Sequence, residues 1–294
     1  MSAQHKFAGT GVAIITPFKK DLSIDFEGLE KQIEHLIANG INYLVVLGTT
    51  GESVTQTEPE KEELVKFIIE KVNKRIPIVL GIGGNNTQAL VNKIKKTDFS
   101  QIDAVLSVAP YYNKPTQEGL YQHFKAIAEA CPVDIILYNV PGRTCSNINA
   151  ETTVRLARDF NNIVAIKEAS GDFSQVMNII NNKPKDFIVV SGDDAITLPL
   201  MSVGVSGVIS VVANGFPKEF SNMVQLALNN KFNEAEEIHY KLLELINYLF
   251  VEGNPAGIKA TLEILGIIEN NLRLPLVPVS KQTYKKLDEL IQKI

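Results

Sequence analysis

The 294-residue chain carries 29 Lys and Arg against 33 Asp and Glu, a formal net charge of −4, so no overall basic field draws it to nucleic acid or to an anionic membrane. A composition of 45% hydrophobic and 21% charged residues excludes a disordered chain, and apolar runs no longer than a strand exclude a helical membrane protein. Two cysteines, Cys131 and Cys145, rule out a disulfide scaffold or a four-thiolate zinc site; with an opening MSAQHKFAGTGVAIITPF that lacks signal-peptide regions, they predict a cytoplasmic protein with small-molecule partners.

From Val12 onward a short apolar run, a Gly/Pro/Thr/Asn-rich stop and an amphipathic stretch recur, which is the grammar of βα units. The predicted strands are Val12–Thr16, Tyr43–Leu47, Ile78–Gly81, Ala104–Val108, Asp134–Asn139, Val164–Lys167, Phe187–Gly192 and Gly207–Val211. Their runs (VVLG, IVLG, IILYN, FIVVSG) are continuously apolar, as strands of a parallel sheet covered on both faces should be. Between the first two strands Phe26, Leu29, Ile33, Leu36 and Ile37 share one helix face that Gly40 ends, and Thr57 with Glu60 reads as a capping box, Pro59 lying in the first turn. Eight such units predict an α/β fold, a (β/α)8 TIM barrel. A doubly wound dinucleotide fold would want G-x-G-x-x-G after its first strand, which is missing. After Gly215 only helices are expected, near Lys218–Leu228, Asn233–Val251, Gly257–Leu265 and Lys281–Ile294. The expected organisation is a barrel over residues 1–230 carrying the active site and a C-terminal helical appendage, a three-helix region over 231–294, joined without a flexible linker and packed on the barrel.

Barrel enzymes carry their chemistry at the carboxyl ends of the strands. Those ends offer Thr16-Pro17, the run Gly48 to Glu52, Gly81 to Asn86, Pro110-Tyr111-Tyr112, Tyr138-Asn139, Lys167-Glu168, Gly192 to Asp194, and Ser210. One amine stands among them and no histidine; His5, His35, His123 and His239 read as solvated or packing side chains. Lys167 follows Ile163 to Ile166, so its amine lies at the barrel mouth, where partial desolvation favours the neutral, nucleophilic form that makes Schiff bases with ketones. The plainer alternative is a lysine that only pairs with Glu168 or a nearby aspartate. Tyr138 closes the neighbouring strand and could pass protons to the Lys167 chemistry through the hydroxyls of Thr49 and Tyr112, or simply cap the core. GTTGES can turn backbone N–H groups inward as an anion nest, with Thr49 and Thr50 adding hydroxyls, and is suited to a carboxylate; it is also compatible with an ordinary βα turn. Arg143, in YNVPGRT, could clamp a second carboxylate or be a surface arginine. Glu52, Glu168, Asp193 and Asp194 are oxygen donors of the kind Mg²⁺ or Mn²⁺ prefers, but without histidines no metal and no other cofactor is expected.

The segments GTTGES, APYYNKPTQEGLYQHF, LYNVPGRT, IKEASG, SGDDA and GVISV, in this order and spacing over nearly the whole chain, resemble the dihydrodipicolinate synthase family, of the pyruvate-dependent class I aldolases that include N-acetylneuraminate lyase. The resemblance implies a lyase of lysine and diaminopimelate biosynthesis. In it Lys167 forms a pyruvate imine, Tyr138 is the general acid/base, and Thr49 and Tyr112 complete a proton relay, Tyr112 reaching across a dimer interface. It further implies that Thr50 holds the pyruvate carboxylate, that Arg143 holds the carboxylate of L-aspartate 4-semialdehyde, and that Gly192 and Ile209 line the pyruvate pocket. A homotetramer, a dimer of dimers, is the implied assembly. One position departs: lysine-inhibited members carry a glutamate where Ala89 stands, although Ser53, Asn85 and Tyr111 match the rest of the effector site, so weak or absent lysine inhibition is expected. The residues leave open a pyruvate aldolase acting on a sugar acid, a metal-dependent barrel hydrolase using Asp193, Asp194 and Glu168, and a silent pyruvate or lysine sensor.

Overall fold

The structure, a computed structural model, describes residues 5–294. Its strands β1 (Gly9–Ala13), β2 (Tyr43–Val46), β3 (Ile78–Gly81), β4 (Ala104–Val108), β5 (Asp134–Asn139), β6 (Ile163–Glu168), β7 (Ile188–Ser191) and β8 (Gly207–Ser210) close in that order into a barrel. Parallel pairing joins β1 to β2 and each successive pair from β3 to β8. The helices are α1 (Phe26–Ala38), α2 (Glu58–Val72), α3 (Thr87–Lys96), α4 (Gln117–Ala130), α5 (Pro141–Thr144), α6 (Ala150–Asp159), α7 (Phe173–Asn182), α8 (Thr197–Ser202), α9 (Pro217–Leu228), α10 (Phe232–Phe250), α11 (Ala256–Ile264) and α12 (Lys281–Ile291). The predicted (β/α)8 barrel with C-terminal helices is the architecture found.

Contacts group the described residues into two compact units, one of residues 5–8 and 77–209, the other of residues 9–76 and 210–294. In the first, strands β3 to β7 bury both faces, through residues such as Val79, Val105, Ile136, Leu137, Ile166 and Val189, which is why their sequences do not alternate. Asn86, Thr116, Asn149 and Asp172 accept from backbone N–H groups at the starts of α3, α4, α6 and α7, so each loop ends on a residue that satisfies an orphan helix donor. In the second unit the Thr57–Glu60 capping box forms as the sequence predicts. There α10 buries Ala235, His239, Leu242, Leu245, Ile246 and Leu249, and α11 passes close beneath its end: a Cβ on Gly257 would fall 2.2 Å from the Leu249 carbonyl oxygen.

Element ends moved where side chains took over the backbone. The first strand was expected at Val12–Thr16 but runs over Gly9–Ala13, because the Ile15 N–H donates to Asn214 Oδ1 at 3.3 Å and Thr16 Oγ1 donates to the Gly51 carbonyl at 2.8 Å. Gly9 and Gly11 had masked the start, yet Gly11 belongs inside: a Cβ there would lie 2.2 Å from the Tyr43 ring. Residues 47, 187, 192 and 211 fall outside the strands expected to contain them, and the last helix stops at Ile291, not Ile294. The PGRT segment, read as loop, forms the single turn α5, with Pro141 at its first position.

Candidate active site

The register of β5 on β6 sets Tyr138 opposite Lys167 and Asn139 opposite Glu168. Successive residues of a strand point to opposite faces, so Tyr138 and Lys167 share one face and Asn139 and Glu168 share the other. On one face Lys167, 6% exposed, places Nζ 4.4 Å from the centre of the Tyr138 ring, itself 8% exposed. No carboxylate pairs with this amine among the described residues. Among the described residues, the face of the Tyr138 ring is the partner of this amine.

The pairing of Lys167 with Glu168, one reading of the sequence, does not occur. On the opposite face the Glu168 carboxylate accepts from Asn139 Nδ2 at 3.1 Å to each oxygen, from the Ser170 N–H at 2.8 Å and from Gln175 Nε2 at 2.9 Å. Glu168 is 2% exposed and Asn139 fully buried. A buried carboxylate is costly unless its lone pairs are filled, and here neutral amide and backbone donors fill them.

Gly192, just past β7, meets the lysine stem. A Cβ on it would stand 2.6 Å from Ala169 Cβ and 2.9 Å from Lys167 Cε, inside any real carbon contact, so the position is glycine because the Lys167 chain occupies the space. Ile209 is buried in β8 of the same unit. Arg143 is exposed on α5, with no ion pair among the described residues, its segment fixed by the Thr144 N–H donating to the Val140 carbonyl at 3.0 Å. Tyr112 is 89% exposed with a left-handed φ of 69°, its N–H donating to the Thr144 carbonyl at 3.1 Å. Tyr111 and Asn85 exchange two hydrogen bonds, at 2.8 and 2.9 Å, while Ala89 lies exposed in the first turn of α3.

Thr49 and Thr50 belong to the second unit, where GTTGES follows β2. Two of the loop's N–H groups close turns, Gly51 to the Gly48 carbonyl at 3.2 Å and Glu52 to that of Thr49 at 3.1 Å, and these two are withdrawn from the anion nest expected of the loop. Thr49 is exposed, whereas Thr50 is buried and its Oγ1 accepts from Asn254 Nδ2 at 3.0 Å. An accepted bond on Thr50 Oγ1 leaves its proton free to donate elsewhere. Glu52, at φ 52°, pairs with Lys259 of α11, and both side chains are fully buried. Burial pulls the Lys259 ammonium down to about 8 although Glu52 acts to raise it. The sequence reading missed this pair; a lysine inside the apolar run GIKATLEIL was the available signal.

Among the described residues no three His, Cys, Asp or Glu side chains converge on a metal position. Asp193 Oδ1 accepts from the Ala195 N–H at 3.0 Å as a turn cap, and Glu52 and Glu168 are engaged as described. No helix is long and apolar enough to cross a membrane.

A closed (β/α)8 barrel whose sixth strand carries, one residue before its end, a buried lysine against a tyrosine ring and paired with no carboxylate defines a class, the barrel lyases that work through a lysine imine. The chain belongs to the dihydrodipicolinate synthetase family, whose model matches residues 6–294. It is 56% identical over 292 residues to a 4-hydroxy-tetrahydrodipicolinate synthase of Parabacteroides distasonis, covering 99% of this chain and 98% of that one. A synthase of the same name from Flavobacterium psychrophilum is 56% identical over 282 residues, 96% of each chain. The solved dihydrodipicolinate synthase of Thermotoga maritima superposes with a TM-score of 0.95 at 44% identity, over 98% of this chain and 99% of that one.

Proposed function

We propose that the protein is a 4-hydroxy-tetrahydrodipicolinate synthase, condensing pyruvate with L-aspartate 4-semialdehyde on the route to diaminopimelate and lysine. The observation that carries this reading is Lys167: buried, unpaired with any acid, and held against Tyr138. Its neutral amine adds to the C2 carbonyl of pyruvate, and the carbinolamine loses water to give the iminium. Loss of a C3 proton makes the enamine, whose C3 attacks the aldehyde carbon and forms the new carbon–carbon bond. The amino group of the condensed chain then adds to C2 and Lys167 leaves, closing the hydroxylated ring. Tyr138, with Thr49 and Tyr112, moves the protons these steps require. Thr50 donates to the pyruvate carboxylate, Arg143 clamps that of the aldehyde, and Gly192 and Ile209 line the pyruvate pocket. Chemistry of this kind calls for no metal and no cofactor beyond the pyruvate imine itself.

The assembly we propose is a homotetramer, a dimer of dimers in the cytoplasm. An 89%-exposed Tyr112 and a 43%-exposed Tyr111 in one loop favour a surface completed by a second copy, since tyrosine is enriched at such contacts. Sedimentation velocity that shows only monomer at working concentrations would overturn the assembly.

The deciding experiment incubates the protein with pyruvate and borohydride and reads the adduct by intact and peptide mass spectrometry, with Lys167→Ala as control. A reduced adduct on Lys167, absent from the control, is expected; no adduct would refute imine chemistry. Adding L-aspartate 4-semialdehyde to the unreduced enzyme should then yield the cyclic product, which separates this reading from a sugar-acid aldolase.

A further inference from the structure

The carboxylate of Glu168 has no cation beside it among the described residues, and yet it is the centre of a buried polar cluster. Asn139 bridges it: Nδ2 donates to both Glu168 oxygens and at 2.7 Å to Asn147 Oδ1, while Asn139 Oδ1 accepts from the Ile148 N–H at 2.9 Å. Gln175 Nε2 donates to Glu168 and to Asn147 Oδ1 at 3.1 Å, and its Oε1 accepts from Asn147 Nδ2 at 2.8 Å. The two strand ends are locked further by main-chain bonds, Ala169 N–H to the Asn139 carbonyl at 2.8 Å and Gly192 N–H to that of Glu168 at 2.7 Å.

The cluster touches two segments that carry proposed chemistry and none of their reacting atoms. Asn139 and Glu168 directly follow Tyr138 and Lys167, and Asn147 and Ile148 close the loop that begins at α5 with Arg143. Arg143 itself is exposed and unpaired, so its position is set by whatever anchors the ends of its loop. One end is the covalent continuation of β5; the other is Asn147-Ile148, held by Asn139 and Gln175, which both donate to Glu168, and by Gln117 Nε2, which donates to the Asn147 carbonyl at 2.8 Å.

We propose that Glu168 is a positioning residue, which acts through Asn139 and Gln175 to fix the Arg143 loop at the end of β6 and so sets where the aldehyde carboxylate is held relative to the Lys167 imine. The inference rests on the reading of Arg143 as the aldehyde clamp. Lys167 is placed independently, by the Tyr138 ring, the β5–β6 register and the space left at Gly192. Removing the hub therefore separates two steps that a general structural defect would damage together.

The experiment compares Glu168→Leu, Glu168→Gln and the unmodified protein by thermal melting, by the rate of borohydride trapping with pyruvate, and by KM for L-aspartate 4-semialdehyde. For Glu168→Leu the aldehyde KM should rise about tenfold or more, the scale expected when a reactant is misplaced by a fraction of an ångström, with pyruvate trapping within about threefold of the unmodified rate. Glu168→Gln should recover part of the loss, because glutamine keeps an acceptor for Asn139 and Ser170 although its new N–H meets the Gln175 amide donor. An unchanged aldehyde KM in folded Glu168→Leu, or trapping that falls in step with it, overturns the proposal. Should Glu168→Leu not fold, Asn147→Ala, an exposed position, cuts the loop arm alone; it should raise the aldehyde KM while sparing trapping, and no change would overturn the proposal. If the unmodified protein itself neither traps pyruvate nor uses the aldehyde, the proposed function has failed and not this inference.

Discussion

Replacing Gly192 by alanine tests the site at its tightest point. The added methyl would sit 2.6 Å from Ala169 Cβ and 2.9 Å from Lys167 Cε. Unstrained carbon contacts lie at about 3.5–4.0 Å, so each gap has to open by roughly 1 Å. Gly192 does not adopt a positive φ, so the backbone tolerates alanine and the whole effect is steric. Ala169 Cβ is fixed to the main chain just past β6, whereas the Lys167 stem can swing, and the lysine is therefore the group that yields. Overpacking of this kind costs about 1–3 kcal/mol of stability. Displacement of the amine by about 1 Å should slow imine formation by roughly a hundredfold. The assay is the rate of borohydride trapping with saturating pyruvate, beside urea unfolding of the same samples. Trapping at the unmodified rate in a protein destabilised by the expected amount would mean that Ala169 moved and Lys167 did not, and would refute the claim that Gly192 exists to accommodate the lysine.

Arg143→Ala should lower kcat/KM for the semialdehyde by at least about tenfold, the worth of a charge-assisted hydrogen bond, and leave pyruvate trapping intact; equal loss of both would remove the arginine from its assigned role. Lys259→Met strands the buried Glu52 carboxylate and should cost about 3–5 kcal/mol in urea unfolding, most of it recovered by adding Glu52→Gln. A double variant no more stable than Lys259→Met alone would contradict that pairing. Burial holds His123 at about 4, below its ordinary 6.5, so the unfolded chain takes up the proton first and stability falls as pH drops from 6.5 towards 4, by up to about 3 kcal/mol. His123→Asn should flatten that portion of the pH–stability curve, and an unaltered curve would show that another group governs it. With Ala89 in place of an acid, lysine at about 1 mM, where a millimolar site is half filled, should leave turnover nearly unchanged; strong inhibition there would restore the effector site.

The barrel was legible because fully buried parallel strands write themselves as unbroken apolar runs, and IVLG, IILYN and FIVVSG carry that mark. Where the first strand begins was not legible: GTGVA is glycine-rich for a reason 32 residues away, the Tyr43 ring that fills the space a side chain on Gly11 would need. Lys167 and Tyr138 could be singled out as candidates because chemistry in a barrel comes from the carboxyl ends of its strands, and each lies one residue before such an end. Asn139 and Glu168 stood beside them in the same list of strand ends, but their partners Asn147 and Gln175 are hydrophilic residues in a loop and a helix, of types that usually face water, and nothing local marks them as a cluster. The Glu52–Lys259 pair was hidden in the same way, its two halves separated by more than two hundred residues.

The two-residue period of a strand explains why the acid next to the lysine does not neutralise it. Glu168 is the nearest carboxylate in sequence, and in solution it would be the natural partner of Lys167. In β6 it points to the other face, and there Asn139, Ser170 and Gln175 supply donors enough that it needs no cation. Sequestering the carboxylate with neutral donors therefore does two things at once. It satisfies a buried charge that would otherwise seek the amine, and it leaves the Tyr138 ring as the partner of Lys167. Had the strand ended in Lys-x-Glu, both side chains would share a face and the carboxylate would stand within reach of the amine as an ion-pair partner.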